Sequence, residues 1–161
     1  MIDVVVDADV DMGRMPDAAR VADAVRAGCA VAGASAADPD LCVRFADDAA
    51  VRELNRDWRA RDSVTDVLSF PMQEGDIDAA AYLGDIVLAV PYVGREAVRL
   101  ALAPADHALH LIVHGVLHLL GYDHEDDAEA ERMQTLERQA LARLGLHDPY
   151  PGTAEERAHV G

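Results

Sequence analysis

The chain contains no lysine. All 14 of its basic residues are arginine, set against 30 acidic residues, for a formal charge of -16 at pH 7. That balance excludes a protein that coats nucleic acid or anionic lipid through its whole surface. A local arginine patch survives it, because charges are screened beyond about 8 Å at physiological salt. Cysteine is scarce as well: Cys29 and Cys42 stand far apart in sequence with no CxxC pair. This excludes a thiolate metal site or a disulfide framework and fits a reducing, cytoplasmic setting. No stretch approaches the ~18 uncharged apolar residues of a membrane helix. The N-terminal MIDVVVDADV lacks a basic start and reads as a first strand, not as a signal peptide. Aromatic residues amount to only 4%, yet hydrophobic residues reach 51%, which excludes a disordered or collagen-like chain. What remains is an acidic globule of 161 residues, the size of one domain on a prior of ~100–200 residues. Such a chain buries roughly 70% of its unfolded surface without help from disulfides. A single domain is expected over residues 1–150, with a flexible tail at 151–161.

Apolar runs predict strands at residues 2–6, 41–46, 64–70 and 83–90. Helices are predicted from Pro16 to about Val31, from Asp47 onward, from Pro91 to Leu102, from Pro104 to Gly121 and from about Asp126 to Leu144. In the second of these, Val51, Leu54 and Trp58 follow the i, i+3, i+7 spacing of a buried face. The segment 33–39 and the segment 71–82 read as loops. Strands in the first half and helices in the second predict an α+β fold, with a single mixed sheet covered by helices.

Three of the seven histidines fall within eleven residues, as His114, His118 and His124. His114 and His118 are i and i+4, so they project from one helix face toward one point. Gly121 can end the helix in a left-handed conformation, after which the chain can double back and bring His124 to the same place. The residues between are apolar, which makes this a buried helix with a metal cleft at its end. Three protein ligands with a fourth position for water are the arrangement of a catalytic zinc, here one Zn2+ ion. Satisfied core histidines are the bland alternative. His110 is a rival third ligand, but it is separated from His118 by ~12 Å of helix rise; it is expected to line the cleft, with His107 solvated. The spacing is also that of H-E-x-x-H-x-x-G-x-x-H proteases. Gly115 occupies the place of their glutamate base, which disfavours a peptidase.

Arg44, Arg52, Arg56, Arg59 and Arg61 cluster in sequence. Arg52, Arg56 and Arg59 form a helical row suited to bidentate phosphate binding. The competing reading is a solvated face of ion pairs to Asp48, Glu53 and Asp57.

Leu54, Asn55, Trp58 and Arg59, then 65–71 (TDVLSFP), then 83–86 (LGDI), then the histidine block, and finally Asp148, Pro149 and Tyr150 together resemble the YbeY family of bacterial endoribonucleases. The resemblance spans about 41–150 in the right order. It implies a single-strand-specific, metal-dependent endoribonuclease in ribosomal RNA maturation and ribosome quality control. His114, His118 and His124 then match the family's zinc ligands and Arg59 its cleft arginine. Arg59 and His114 become the expected catalytic residues, with ribosomal RNA and small-subunit proteins as partners and no DNA or membrane. In this reading Arg59 stabilises charge developing on phosphate oxygens, and the nucleophile is water or the neighbouring 2′-OH. Asp123 is a candidate to orient a ligand or act as a base. Thr65, Asp66, Ser69 and Asp85 are candidates to face the cleft. The rival readings are a non-catalytic ribosome assembly factor with a structural zinc, and a metallohydrolase acting on a small phosphodiester.

Overall fold

The computed structural model describes residues 1–34 and 38–151. The tail expected at 151–161 therefore lies, from residue 152 on, outside the described residues, as does the middle of the 33–39 loop. The elements are β1 (Ile2–Val6), α1 (Ala18–Val31), β2 (Asp40–Ala46), α2 (Asp48–Arg59), β3 (Val67–Pro71), β4 (Tyr82–Ala89), α3 (Val90–Arg99), α4 (Pro104–Leu119) and α5 (Asp127–Arg143). Carboxylates start three of the helices by accepting a first-turn amide: Asp17 from Arg20 N at 2.9 Å, Asp47 from Ala50 N at 2.7 Å and Asp126 from Glu129 N at 2.8 Å. Proline in the first turn starts α3 and α4.

The four strands form one mixed sheet in the order β1-β2-β4-β3. β1 runs parallel to β2, β2 parallel to β4, and β3 antiparallel to β4. Helices α1, α4 and α5 stack on one face, where Val25, Phe45, Ile86, Ile112, Val116 and Leu141 are all buried. Gly28 lets α1 approach α4 closely, since a Cβ there would stand 3.0 Å from Val116 Cγ1. The opposite face carries a smaller cluster of Ala46, Val51, Leu68, Val87 and Ala89 under α2. Among the described residues no single helix is long and apolar enough to cross a membrane.

The sequence pattern misplaces several details. The third strand begins at Val67 instead of residue 64, and the Asp66 carboxylate takes the Val67 amide at 2.7 Å where the strand starts. Pro71 closes that strand from within, as an edge position permits. The strand expected at 83–90 ends one residue earlier, and β4 runs directly into α3 at Val90, ahead of Pro91. Trp58, expected on the buried face of α2, is 72% exposed, because the last turn of the helix stands at the rim of an open groove whose other walls include Leu54, Phe70 and Val87. His107, expected in solvent, is only 5% exposed, buried in the first turn of α4.

Candidate metal centre

The histidine cluster is assembled by the way α4 ends. The Gly121 amide donates to the His118 carbonyl at 3.0 Å and the Tyr122 amide to the Leu117 carbonyl at 3.0 Å, with Gly121 at φ +96. This is the paired-bond stop in which glycine takes the left-handed position, and it turns the chain back over the helix it has just left. His124 thereby comes beside His114 and His118, with one ligand atom from each of the three lying within 4.8 Å of the others. These three histidines could hold a metal ion.

Their hydrogen bonds test that fit. His118 Nδ1 donates to the Tyr122 carbonyl at 3.0 Å, and His114 Nδ1 donates to Glu137 Oε1 at 3.1 Å. With both Nδ1 atoms protonated, both Nε2 atoms carry lone pairs, and they face one another 3.0 Å apart. Burial, and then the neighbouring His114 and His124, push His118 down to about 4, so protonation of His118 does not relieve the repulsion at neutral pH. A cation does. The donor set is chemically suited to one.

Glu137 is the anchor beneath the cluster, and at 1% exposed it is among the most buried polar residues. It accepts from His110 Nε2 at 2.8 Å and from His114, and the Tyr150 hydroxyl donates to its two oxygens at 3.1 and 3.0 Å. Burial alone would raise its pKa; the hydrogen bonds from His110 and His114 outweigh that and push it down to about 2. Carboxylate–histidine pairs of this kind fix the ring orientation and raise the basicity of a metal ligand. His110, expected to line the cleft, is instead spoken for by Glu137, one helical turn behind His114. His107 and His147 lie on the far side of His110 and burial keeps both below ordinary histidine values, hence neutral.

The cluster opens into a cleft of about 720 Å³ whose walls include Arg59, Ser69, Gln73, Tyr122, Asp123 and the three histidines. Arg59 donates to the Ser69 carbonyl, and its guanidinium stands 5.4 Å from the centre of the Phe70 ring. Among the described residues no carboxylate pairs with it. The rest of the arginine row behaves differently: Arg52 binds Asp62 at 2.8 Å and Arg56 binds Asp57 at 3.1 Å. The phosphate-binding row is thus reduced to Arg59, and Asp48 is engaged with Arg95 at 2.7 Å instead.

Of the remaining candidates, Asp123 lines the cleft and accepts the His124 amide at 2.7 Å. Ser69 contributes its carbonyl to Arg59. Thr65 and Asp66 bond to each other at 3.3 Å, outside the cleft wall. Asp85 faces the α2 side of the sheet, where it accepts from the Tyr82 hydroxyl. Gly115 faces β4: a Cβ there would sit 2.9 Å from Ile86 Cγ2, so the position has no room for the glutamate of a peptidase. Glu137 and Tyr150 are the site residues that pattern reasoning missed. They reach the cluster only through the fold, although Tyr150 sits in the C-terminal motif quoted above.

A family model described as Endoribonuclease YbeY matches residues 16–145. The Endoribonuclease YbeY of Azorhizobium caulinodans is 46% identical over 159 residues, covering 96% of this chain and 98% of that protein. Its namesake in Halorhodospira halophila is 53% identical over 114 residues, covering 69% of this chain and 74% of that one. A solution structure of a Thermotoga maritima protein shares the fold, with a TM-score of 0.56 at 21% identity, over 94% of this chain and 100% of that chain.

Proposed function

The chain belongs to the YbeY endoribonuclease family, and we propose that it is a zinc-dependent endoribonuclease that cleaves single-stranded RNA during ribosomal RNA maturation and quality control in the cytoplasm. The observation that carries this reading is the shared cleft: three histidines that could hold a metal ion and one arginine without a carboxylate partner among the described residues.

His114, His118 and His124 would hold the ion, and three imidazoles select zinc over the oxygen-seeking magnesium or calcium. When bound, such an ion supplies Lewis-acid polarisation of a phosphoryl oxygen and acidifies water. The protein's own part is orientation. Glu137 holds the His114 ring through Nδ1, and the Tyr122 carbonyl does the same for His118. Arg59 is steadied by the Ser69 carbonyl and the Phe70 face, leaving guanidinium N–H groups for the non-bridging oxygens of the scissile phosphate, where negative charge grows. Asp123, tied to the His124 amide, fixes the loop that carries the third ligand.

A charge of -16 repels free RNA at long range, so naked RNA is bound weakly and in a salt-sensitive way, and docking on the small ribosomal subunit strengthens recognition. The test compares a labelled single strand with its duplex, using wild type and Arg59→Ala. Wild type is expected to cut the single strand alone, to lose cleavage on chelation and to recover it with zinc. Arg59→Ala is expected to keep its metal and lose roughly 10²-fold in kcat. A zinc-replete wild type that cuts neither substrate would replace this reading with that of an assembly factor.

A further inference from the structure

Resting on the endoribonuclease reading, we propose that the groove between Trp58 and Phe70 is a nucleobase-binding site, which seats the base of the nucleotide flanking the scissile phosphate. The groove has a volume of about 370 Å³ and lies on the α2 face of the sheet. Leu54, Trp58, Phe70 and Val87 give it an apolar wall, and Arg44 and Asp85 its polar part. It is continuous with the metal cleft through one element: the Arg59 guanidinium lines the cleft and at the same time stands over the Phe70 ring that lines the groove. A strand whose phosphate rests on Arg59 therefore has an adjoining base at the mouth of this groove.

The chemistry of the lining selects a base over a phosphate or a sugar. Trp58, 72% exposed, offers a flat aromatic face to solvent, and unstacked RNA bases find their stacking partners on such faces. Arg44 does not call for an anion, because Asp7 already engages it twice, at 2.9 and 2.7 Å. Asp85 repels phosphate but accepts N–H. One of its oxygens takes the Tyr82 hydroxyl, and the other has no hydrogen-bond partner among the described residues. Carboxylates read amino groups on base edges, the N4 of cytosine among them, so a cytosine in this groove is favoured over a uracil. The exposed tryptophan that the helical pattern could not explain thereby acquires a role.

Trp58 is the only tryptophan of the chain, so its fluorescence reports the groove directly. The experiment titrates the zinc-loaded protein at low salt with single-stranded RNAs that differ at one flanking position, cytosine, uracil or abasic, and follows cleavage in the same samples. The expected result is quenching by the cytosine strand, weaker quenching by uracil and none by the abasic strand. Trp58→Ala is expected to raise KM about tenfold on the cytosine strand with kcat within twofold, to match wild type on the abasic strand, and to be rescued by Trp58→Phe. Asp85→Asn is expected to erase the preference for cytosine over uracil. Cleavage with no fluorescence response and an unchanged KM in Trp58→Ala would overturn the base site and leave the nuclease reading standing, with the groove open to a protein partner. Base-dependent quenching without cleavage would support the site and remove the nuclease. Neither quenching nor cleavage would overturn both.

Discussion

The two faces of the sheet are built to different standards. On one, α1, α4 and α5 enclose a continuous apolar interior in which Ile112, Val113 and Val116 of α4 are fully buried. On the other, α2 rests on a handful of residues around Val51 and Val87, and its last turn hangs in solvent with Trp58. Of the three histidines that could hold a metal ion, His114 and His118 project from α4 on the first of these and His124 from the turn after it, and the arginine that shares their cleft comes from the second. A histidine cluster needs its donor atoms held to a fraction of an ångström, and only a helix locked on several sides supplies that. The histidines and the arginine that share the cleft are thus drawn from opposite sides of one sheet.

The largest effect expected from this contrast is on folding. Ile112→Ala, on the α4 face, is expected to lower stability by about 2–5 kcal/mol, read as a shift of the urea midpoint. Next comes acid. The folded chain holds His118 at about 4, below the ordinary histidine value of 6.5, so between those values the unfolded chain binds the proton and the folded one refuses it. The stability of the metal-free protein is therefore complete above pH 6.5 and lost as pH falls toward 4, by on the order of 2 kcal/mol from this residue. His107 and His147 act in the same direction. Thermal denaturation of the metal-free protein across that range checks it, and a flat profile would contradict the burial assigned to His118. Glu137→Ala is expected to weaken metal binding roughly 10–100-fold, measured by competition with a chromophoric chelator. The smallest effect falls on the opposite face: Trp58→Ala is expected to change stability by no more than about 0.5 kcal/mol, as a residue 72% exposed at the rim of a groove should.

Much of this was legible in the sequence, for reasons that are local. β1, the bulk of α1 and α4, and the left-handed stop at Gly121 follow from apolar runs, proline starts and a glycine, all read within a few residues. The histidine trio is legible because its spacing is dictated by one helix and one turn. Glu137 was not, because it meets His114 and His110 across two helices, and a lone glutamate on an acidic amphipathic helix looks like any solvated charge. Trp58 misled for the opposite reason. Its spacing from Val51 is right for a shared face, but periodicity gives the direction of a side chain, not whether the sheet extends far enough to cover it. His107 shows the same limit, since a polar residue at the start of a helix is buried or exposed according to neighbours that lie far away in sequence.

The central claim is that the three histidines hold the ion on which cleavage depends. It is tested most directly by measuring zinc per chain in wild type and His114→Ala, purified without chelator, and assaying both on a labelled single-stranded RNA. The account predicts close to one zinc per wild-type chain, with metal and cleavage lost together in the variant. Full cleavage by a His114→Ala protein without zinc, or a wild type that never takes up metal, would contradict it.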